Sequence, residues 1–391
     1  MKCWTSYRPL LALIGIALLL TACGGKAQPT PEGIPLGPQE PFPLLQVEVI
    51  PYHAELYVAG INFPTRMAWA PDGRLFVTEK GGALRVVSPE GDLQPEPVIE
   101  LPTDEEGEQG LLGIALDPDY ETNHHIWLYH TWSDPDNERP GEVWHRLVRI
   151  TENNGKGSDV QVAWEIKDGF TESTILNGGE IGFGPDGMLY VSPGSTNNIL
   201  LVVDRDAPHG KIHRMTPTIP TGIPEDSLRP DSTIWAYGFR NVYGFTFHPL
   251  TGQMYATDNG PDCDDEIDLV VPGGDHGWRV DGLCEDNNLP DDYPERFIPP
   301  VLYYTPPISP TSIMFYTGDV FPEWKYDMFF CAYNFGKVYR VKLAEDGVSV
   351  LGARALDTGY ARCAASITTG PDGFIYFSDL AAIYRMIRLE E

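Results

Sequence analysis

One short pattern recurs along this chain, and it leaves few folds open. Gly184-Pro185-Asp186-Gly187 separates an alternating apolar run from a strand-like segment at residues 188–191. Asp-Gly between two such runs is a strong hairpin signal, because the glycine supplies the positive φ that the turn needs. Related turns stand at Ala70-Pro71-Asp72-Gly73, Asp117-Pro118-Asp119-Tyr120, His248-Pro249-Leu250-Thr251-Gly252, Phe321-Pro322-Glu323-Trp324 and Gly370-Pro371-Asp372-Gly373. That makes six strand–turn–strand units at intervals of roughly 50–70 residues, a period that points to a propeller or solenoid. Each interval has room for four short strands and their turns. A six-bladed all-β propeller in a single domain is therefore expected over residues 44–391. The run at residues 47–61 precedes the first unit and is expected to give an outer strand to the last blade, closing the ring.

Composition agrees with many short strands. The chain has 40 Gly, 36 Pro and an aromatic content of 11%, and no segment after its N-terminus carries a long helical period. Its formal net charge is −29. Such a surface is a poor match for nucleic acid, which is bound by neutralising phosphates with Lys and Arg.

The N-terminus reads as an address. Lys2 and Arg8 precede an apolar run at residues 10–20, too short for a comfortable membrane span, and then Leu20-Thr21-Ala22-Cys23. This resembles a bacterial lipobox, which implies that residues 1–23 form a lipoprotein signal and that Cys23 becomes the lipidated first residue. Two or three acyl chains anchor a protein stably. Residues 24–43 are rich in Pro and Gly and read as a flexible tether. The expected location is the bacterial cell envelope, outside the cytoplasm, with the membrane met only through the lipid. Four cysteines then remain in an oxidising compartment: Cys263, Cys284, Cys331 and Cys363. The expected pairs are Cys263–Cys284 and Cys331–Cys363, and free buried thiols are the alternative.

Five groups of residues together resemble the glucose/sorbosone dehydrogenase family. They are Glu108-Gln109-Gly110-Leu111-Leu112-Gly113; Asn177-Gly178-Gly179 with the turn at residues 184–187; Tyr237-Gly238-Phe239-Arg240-Asn241; Asn259-Gly260-Pro261 with Asp265-Glu266 and Gly277-Trp278; and Ser309-Pro310 with Tyr316-Thr317-Gly318-Asp319. The resemblance implies a six-bladed quinoprotein that uses pyrroloquinoline quinone (PQQ) and Ca²⁺ to oxidise aldoses, passing electrons to an acceptor the sequence does not name. It implies that Gln109, Arg240 and Asn241 meet the cofactor and that Gly260 and Pro261 ligate Ca²⁺ through backbone carbonyls. Arginine suits a quinone carboxylate as a charge-assisted donor, and Ca²⁺ takes oxygen ligands.

The chain also departs from that pattern. Oxidation at an anomeric carbon needs a base for the hydroxyl proton, and histidine suits the task. The family's histidine position is Leu176 here, and the position of its orienting aspartate is Ser195. Phe239 replaces a common histidine. The late arginines expected before the last Pro-Asp-Gly turn are missing, with Arg362 one place off. His130, His209, His213, His276, Glu172 and Glu180 are the remaining bases to weigh. A second class of function thus stands beside the enzyme: a catalytically degenerate propeller binding a sugar, a glycan or an envelope protein. Five carboxylates at Asp262, Asp264, Asp265, Glu266 and Asp268 are either a solvated loop or an irregular Ca²⁺ site.

Overall fold

A computed structural model of the protein describes residues 51–134, 136, 142–167, 174–278 and 297–389. The signal, Cys23, the tether, Glu172 and Cys284 lie outside the described residues.

The described chain forms six four-stranded antiparallel sheets. The first five are each built from four successive strands, beginning at Pro64–Trp69, Leu111–Leu116, Gly178–Phe183, Val242–Phe247 and Pro310–Phe315. The sixth joins Ile367–Thr369, Ile375–Ser378 and Ala382–Arg388 to the N-terminal strand Tyr52–Ala59. Tyr52 pairs with Arg388 and Ala59 with Ala382, so the two ends of the domain close one blade, as expected. Each blade's first strand packs against the first strands of both neighbours, and the sixth meets the first. The ring is a closed six-bladed propeller with those strands around its axis.

All six of the turns read from the sequence join the first strand of a blade to the second. Asp186 Oδ1 accepts the backbone N–H of Met188 at 3.1 Å, and its Oδ2 accepts the Tyr190 hydroxyl at 3.1 Å. Asp372 repeats the device with Phe374 N and Tyr376 Oη. Here the aspartate replaces a backbone acceptor and ties the turn to the strand that follows. Gly187 and Gly373 sit at φ 74° and 82°, where a Cβ would clash with the backbone.

Burial follows from the repeat. Each pair of adjacent blades encloses its own apolar cluster, for example Leu112, Trp127, Tyr129, Ile181 and Val191 between the second and third. Between the fifth and sixth lie Met314, Phe329, Ile367 and Phe377, with the Cys331–Cys363 disulfide among them. Its Cα atoms are 5.1 Å apart and it closes a separation of 32 residues across the last blade boundary. Chain-entropy reasoning gives such a loop about 3–4 kcal/mol. The Cys331→Ala/Cys363→Ala variant should therefore unfold in urea with ΔG lowered by about that much; an unchanged midpoint would mean the bridge constrains nothing in the unfolded chain. Cys263 is buried, while its expected partner is outside the described residues.

His213 is fully enclosed in the third blade. Its Nε2–H donates to Pro208 O at 2.8 Å, which leaves Nδ1 to accept from Thr233 Oγ1 at 2.9 Å. This neutral tautomer is satisfied, and burial pushes the imidazole down to about 4. The folded state thus binds the proton less readily than the unfolded chain. The stability this provides is complete above about pH 6.5 and is lost as pH falls through about 4. Over that window wild type should lose stability faster than His213→Gln, by about 1.4 kcal/mol per pH unit, in denaturant titrations at stepped pH. Equal slopes would contradict the assignment.

Candidate active site

The loops at one end of the first strands enclose a cleft of about 410 Å³. That is within the range of small-molecule pockets, roughly 300–1,000 Å³. Phe63, Leu112, Ile175, Leu176, Pro261 and the rings of Tyr243 and Tyr333 supply its apolar walls. Its polar lining includes Lys80, Glu108, Arg240, Asn241, Asn259 and Asn334. Flat apolar walls with a few cations and amide donors suit a planar, multiply anionic ligand.

Beneath the cleft, Arg66 links blades across the axis. Its Nε donates to Glu180 Oε2 at 2.8 Å, and Nη1 donates to Thr65 O at 2.7 Å and Ala365 O at 3.1 Å. Nη2 donates to Tyr243 O, and the guanidinium lies 4.5 Å from the centre of the Tyr243 ring. Thr65 and Tyr243 also line the cleft, so this buried cation fixes part of its floor. Burial pushes the Glu180 carboxyl above its usual range, and Arg66 pulls it back. Glu180 is thereby committed to a structural pair.

Arg240 and Asn241 reach the cleft as expected. Asp258, at the end of the strand Met254–Asp258, accepts both of their backbone N–H groups, Arg240 N at 2.8 Å and Asn241 N at 2.5 Å. Arg240 Nη1 donates to Asn259 O at 2.8 Å and Gly260 O at 2.9 Å, and its guanidinium lies 5.5 Å from the Trp278 ring. Burial lowers the Arg240 pKa, while Asp258, Glu108 and Asp265 raise it; arginine stays charged here. Asn241 Oδ1 accepts from Gly178 N at 2.9 Å, and Nδ2 faces Asn259 Oδ1 at 3.3 Å. Gly260 and Pro261 line the same cleft. A carbonyl oxygen has two lone pairs, so the bond from Arg240 leaves Gly260 O able to ligate a cation.

Gln109 departs from expectation. It is buried and does not line the cleft; its neighbour Glu108 does. Loop residues between Gly107 and Gly110 do not alternate as a strand does, so the sequence pattern carried no direction for either side chain. Glu108 N donates to Thr174 O at 2.6 Å, and its Oε2 accepts from Leu176 N at 2.7 Å and Asn241 Nδ2 at 3.4 Å.

Leu176 lines the cleft with its backbone at φ 63°. For a bulky residue this is a left-handed outlier, and such outliers gather at functional sites. Its carbonyl accepts from Thr196 N at 2.9 Å, and Gly194 is so close that a Cβ there would stand 2.0 Å from it. Ser195 is buried, with its N–H donating to Arg240 O at 2.9 Å, and does not line the cleft. None of His130, His209, His213 and His276 lines it either. Phe239 is buried and stacked on His276 at 4.5 Å, away from the cleft lining. Arg362 is exposed and packs over Gly336.

The acidic run divides by strand geometry. Asp264 bonds Thr305 at the surface. Asp265 accepts from Gly260 N at 2.9 Å and from Ile308 N and Ser309 N at 2.6 Å each, holding two cleft loops together. Glu266 and Asp268 lie on the opposite face of the strand Asp265–Val270, and Asp258 is paired beside Glu266. Oxygens of Asp258, Glu266 and Asp268 lie within 4.8 Å of one another. Burial and Asp268 push the Asp258 carboxyl up to about 7, and burial with the same neighbours raises Glu266 well above its usual value. This trio, not the whole run, is the carboxylate cluster suited to a cation. Asp258 was not read from sequence; only the register across the hairpin brings it to the other two.

Comparison with known proteins bears on the cleft. Residues 61–385 match the family profile "Glucose / Sorbosone dehydrogenase". The aldose sugar dehydrogenase YliI of Escherichia coli is 26% identical over 337 residues, 83% of this chain and 89% of its own length. Among solved structures, an oxidoreductase (glucose dehydrogenase) from Thermus thermophilus superposes with a TM-score of 0.73 and 26% identity, covering 86% of this chain and all of that one. The PQQ-bound aldose sugar dehydrogenase of Streptomyces coelicolor gives 0.69 and 25%, covering 86% of this chain and 98% of its own.

Proposed function

Because the chain belongs to the glucose/sorbosone dehydrogenase family, we propose that it is a PQQ-dependent aldose dehydrogenase held at the bacterial cell envelope by lipid on Cys23. The observation that carries this reading is the convergence of Arg240, Asn241, Gly260 and Pro261, from two separate motifs, on one cleft. The lining fits the cofactor's chemistry. Arg240 and Lys80 would face its carboxylates, the Tyr243 and Tyr333 rings would flank its plane, and the Gly260 and Pro261 carbonyls would hold Ca²⁺. When bound, the quinone supplies an acceptor for two electrons and a hydrogen from the sugar. The chain's own residues do the rest. Asn241 and Asn334 offer amides to sugar hydroxyls, and the apolar walls exclude water. Asp258 and Asp265 fix the backbone that carries Arg240, Asn241 and Gly260. The test is aldose-dependent reduction of an artificial electron acceptor by the chain loaded with PQQ and Ca²⁺. Turnover with at least one aldose is the expected result.

A second reading rests on Leu176. An aliphatic side chain at the family's base position suits a propeller that binds a sugar, a glycan or an envelope protein without oxidising it. Saturable sugar binding with no electron transfer under the same conditions would favour it.

A further inference from the structure

We propose that Glu108 is the proton acceptor of this cleft, in place of the histidine that Leu176 replaces; this rests on the dehydrogenase reading above. Among the described residues, the titratable side chains that line the cleft are Lys80, Glu108, Arg240, Tyr243 and Tyr333. Lys80 and Arg240 carry hydrogen-bond donors and no acceptor, and burial raises Tyr243 further from ionisation. Tyr333 offers a phenolic hydroxyl and no carboxylate. Glu108 is the one side chain among these with a basic oxygen.

Its position is also specific. Glu108 Oε2 accepts the backbone N–H of Leu176 at 2.7 Å, so the carboxylate is fixed at the residue whose side chain no longer serves as a base. It also meets Asn241 Nδ2 at 3.4 Å, which sets it beside the Arg240-Asn241 pair. Oε1 has no hydrogen-bond partner among the described residues and remains to accept from a ligand. The carboxylate is partly exposed, as a group meeting substrate must be.

The step balances. The sugar's O–H bond breaks and its proton moves to the Glu108 carboxylate. The C–H bond breaks, with the hydrogen and both electrons leaving for the quinone. The oxygen's freed pair completes the C=O bond of the product. Glu108 then returns its proton to solvent at the cleft mouth.

The test uses the full chain, wild type and Glu108→Gln, each titrated with PQQ in the presence of Ca²⁺ and then mixed with a panel of aldoses in a single turnover, following quinone reduction by absorbance. Glutamine keeps an acceptor for Leu176 N and removes the basic oxygen. Quinone affinity should stay within about threefold, while the reduction rate falls by roughly 10²–10⁴, the usual contribution of a positioned base. Adding Leu176→His in the Glu108→Gln background should recover at least tenfold, since histidine tolerates the left-handed backbone at that position. A reduction rate unchanged in Glu108→Gln overturns the assignment. So does a wild-type chain that binds the quinone and reduces it with no aldose, although the cofactor reading would survive. A wild-type chain that binds no quinone overturns both.

Discussion

Replacing Arg66 by methionine should destabilise the protein by about 3–5 kcal/mol, the range for breaking a buried ion pair by removing one partner. Arg66 is 3% exposed and bonds residues of four blades: Thr65 in the first, Glu180 in the third, Tyr243 in the fourth and Ala365 at the start of the sixth. Methionine fills much of the volume but takes away the donors that Arg66 supplies to Glu180 and three carbonyls. Burial already raises the Glu180 pKa and Arg66 is what pulls it back, so losing Arg66 shifts that carboxyl further toward its neutral form, which keeps the loss toward the lower end. The companion Arg66→Met/Glu180→Leu should recover part of the stability, since removing both charges removes the stranded one. Urea unfolding at pH 7 checks both. Thr65 and Tyr243 line the cleft, so Arg66→Met should also weaken quinone binding. A fully stable Arg66→Met would show that the axis is held by the apolar interfaces alone.

Replacing Arg240 by alanine should lower PQQ affinity by roughly 10²–10³. Removing one partner of a buried charge-assisted contact costs about 2–5 kcal/mol, and about 1.4 kcal/mol is tenfold. Two effects combine. The cleft loses a cation fixed by Asp258 through the backbone, so among the described lining residues an anionic ligand meets Glu108 with Lys80 alone to offset it. Asn259 O and Gly260 O also lose their donor, which loosens the loop proposed to hold Ca²⁺. Arg240→Lys keeps the charge without the two-pronged geometry and should fall between wild type and alanine. Fluorescence or calorimetric titration separates the three. Undiminished binding by Arg240→Ala would place the cofactor elsewhere.

How much of this was legible in sequence depends on the kind of signal. The turns were legible because Asp-Gly needs no tertiary context: the aspartate bonds its own backbone and the glycine takes the positive φ. Ring closure was legible because an unmatched strand before the first repeat has an obvious place to pair. That Arg240, Asn241, Gly260 and Pro261 share one cleft was legible because they sit inside contiguous motifs. Glu108 was missed by one residue, at a loop where no periodicity assigns direction. The Asp258–Glu266–Asp268 cluster was half legible. Period-2 alternation along residues 265–270 puts Glu266 and Asp268 on one face, but Asp258 joins them only through the strand pairing. Arg66 and Glu180 are 114 residues apart, and nothing in local sequence links them.

The most direct measurement is a calorimetric titration of PQQ into the purified chain with Ca²⁺ present. Saturable binding at micromolar concentration or tighter is expected, weakened in Arg240→Ala. No heat of binding at high micromolar PQQ, from a chain whose unfolding transition shows it to be folded, would contradict the cofactor assignment and turn the search to glycans and envelope proteins as ligands.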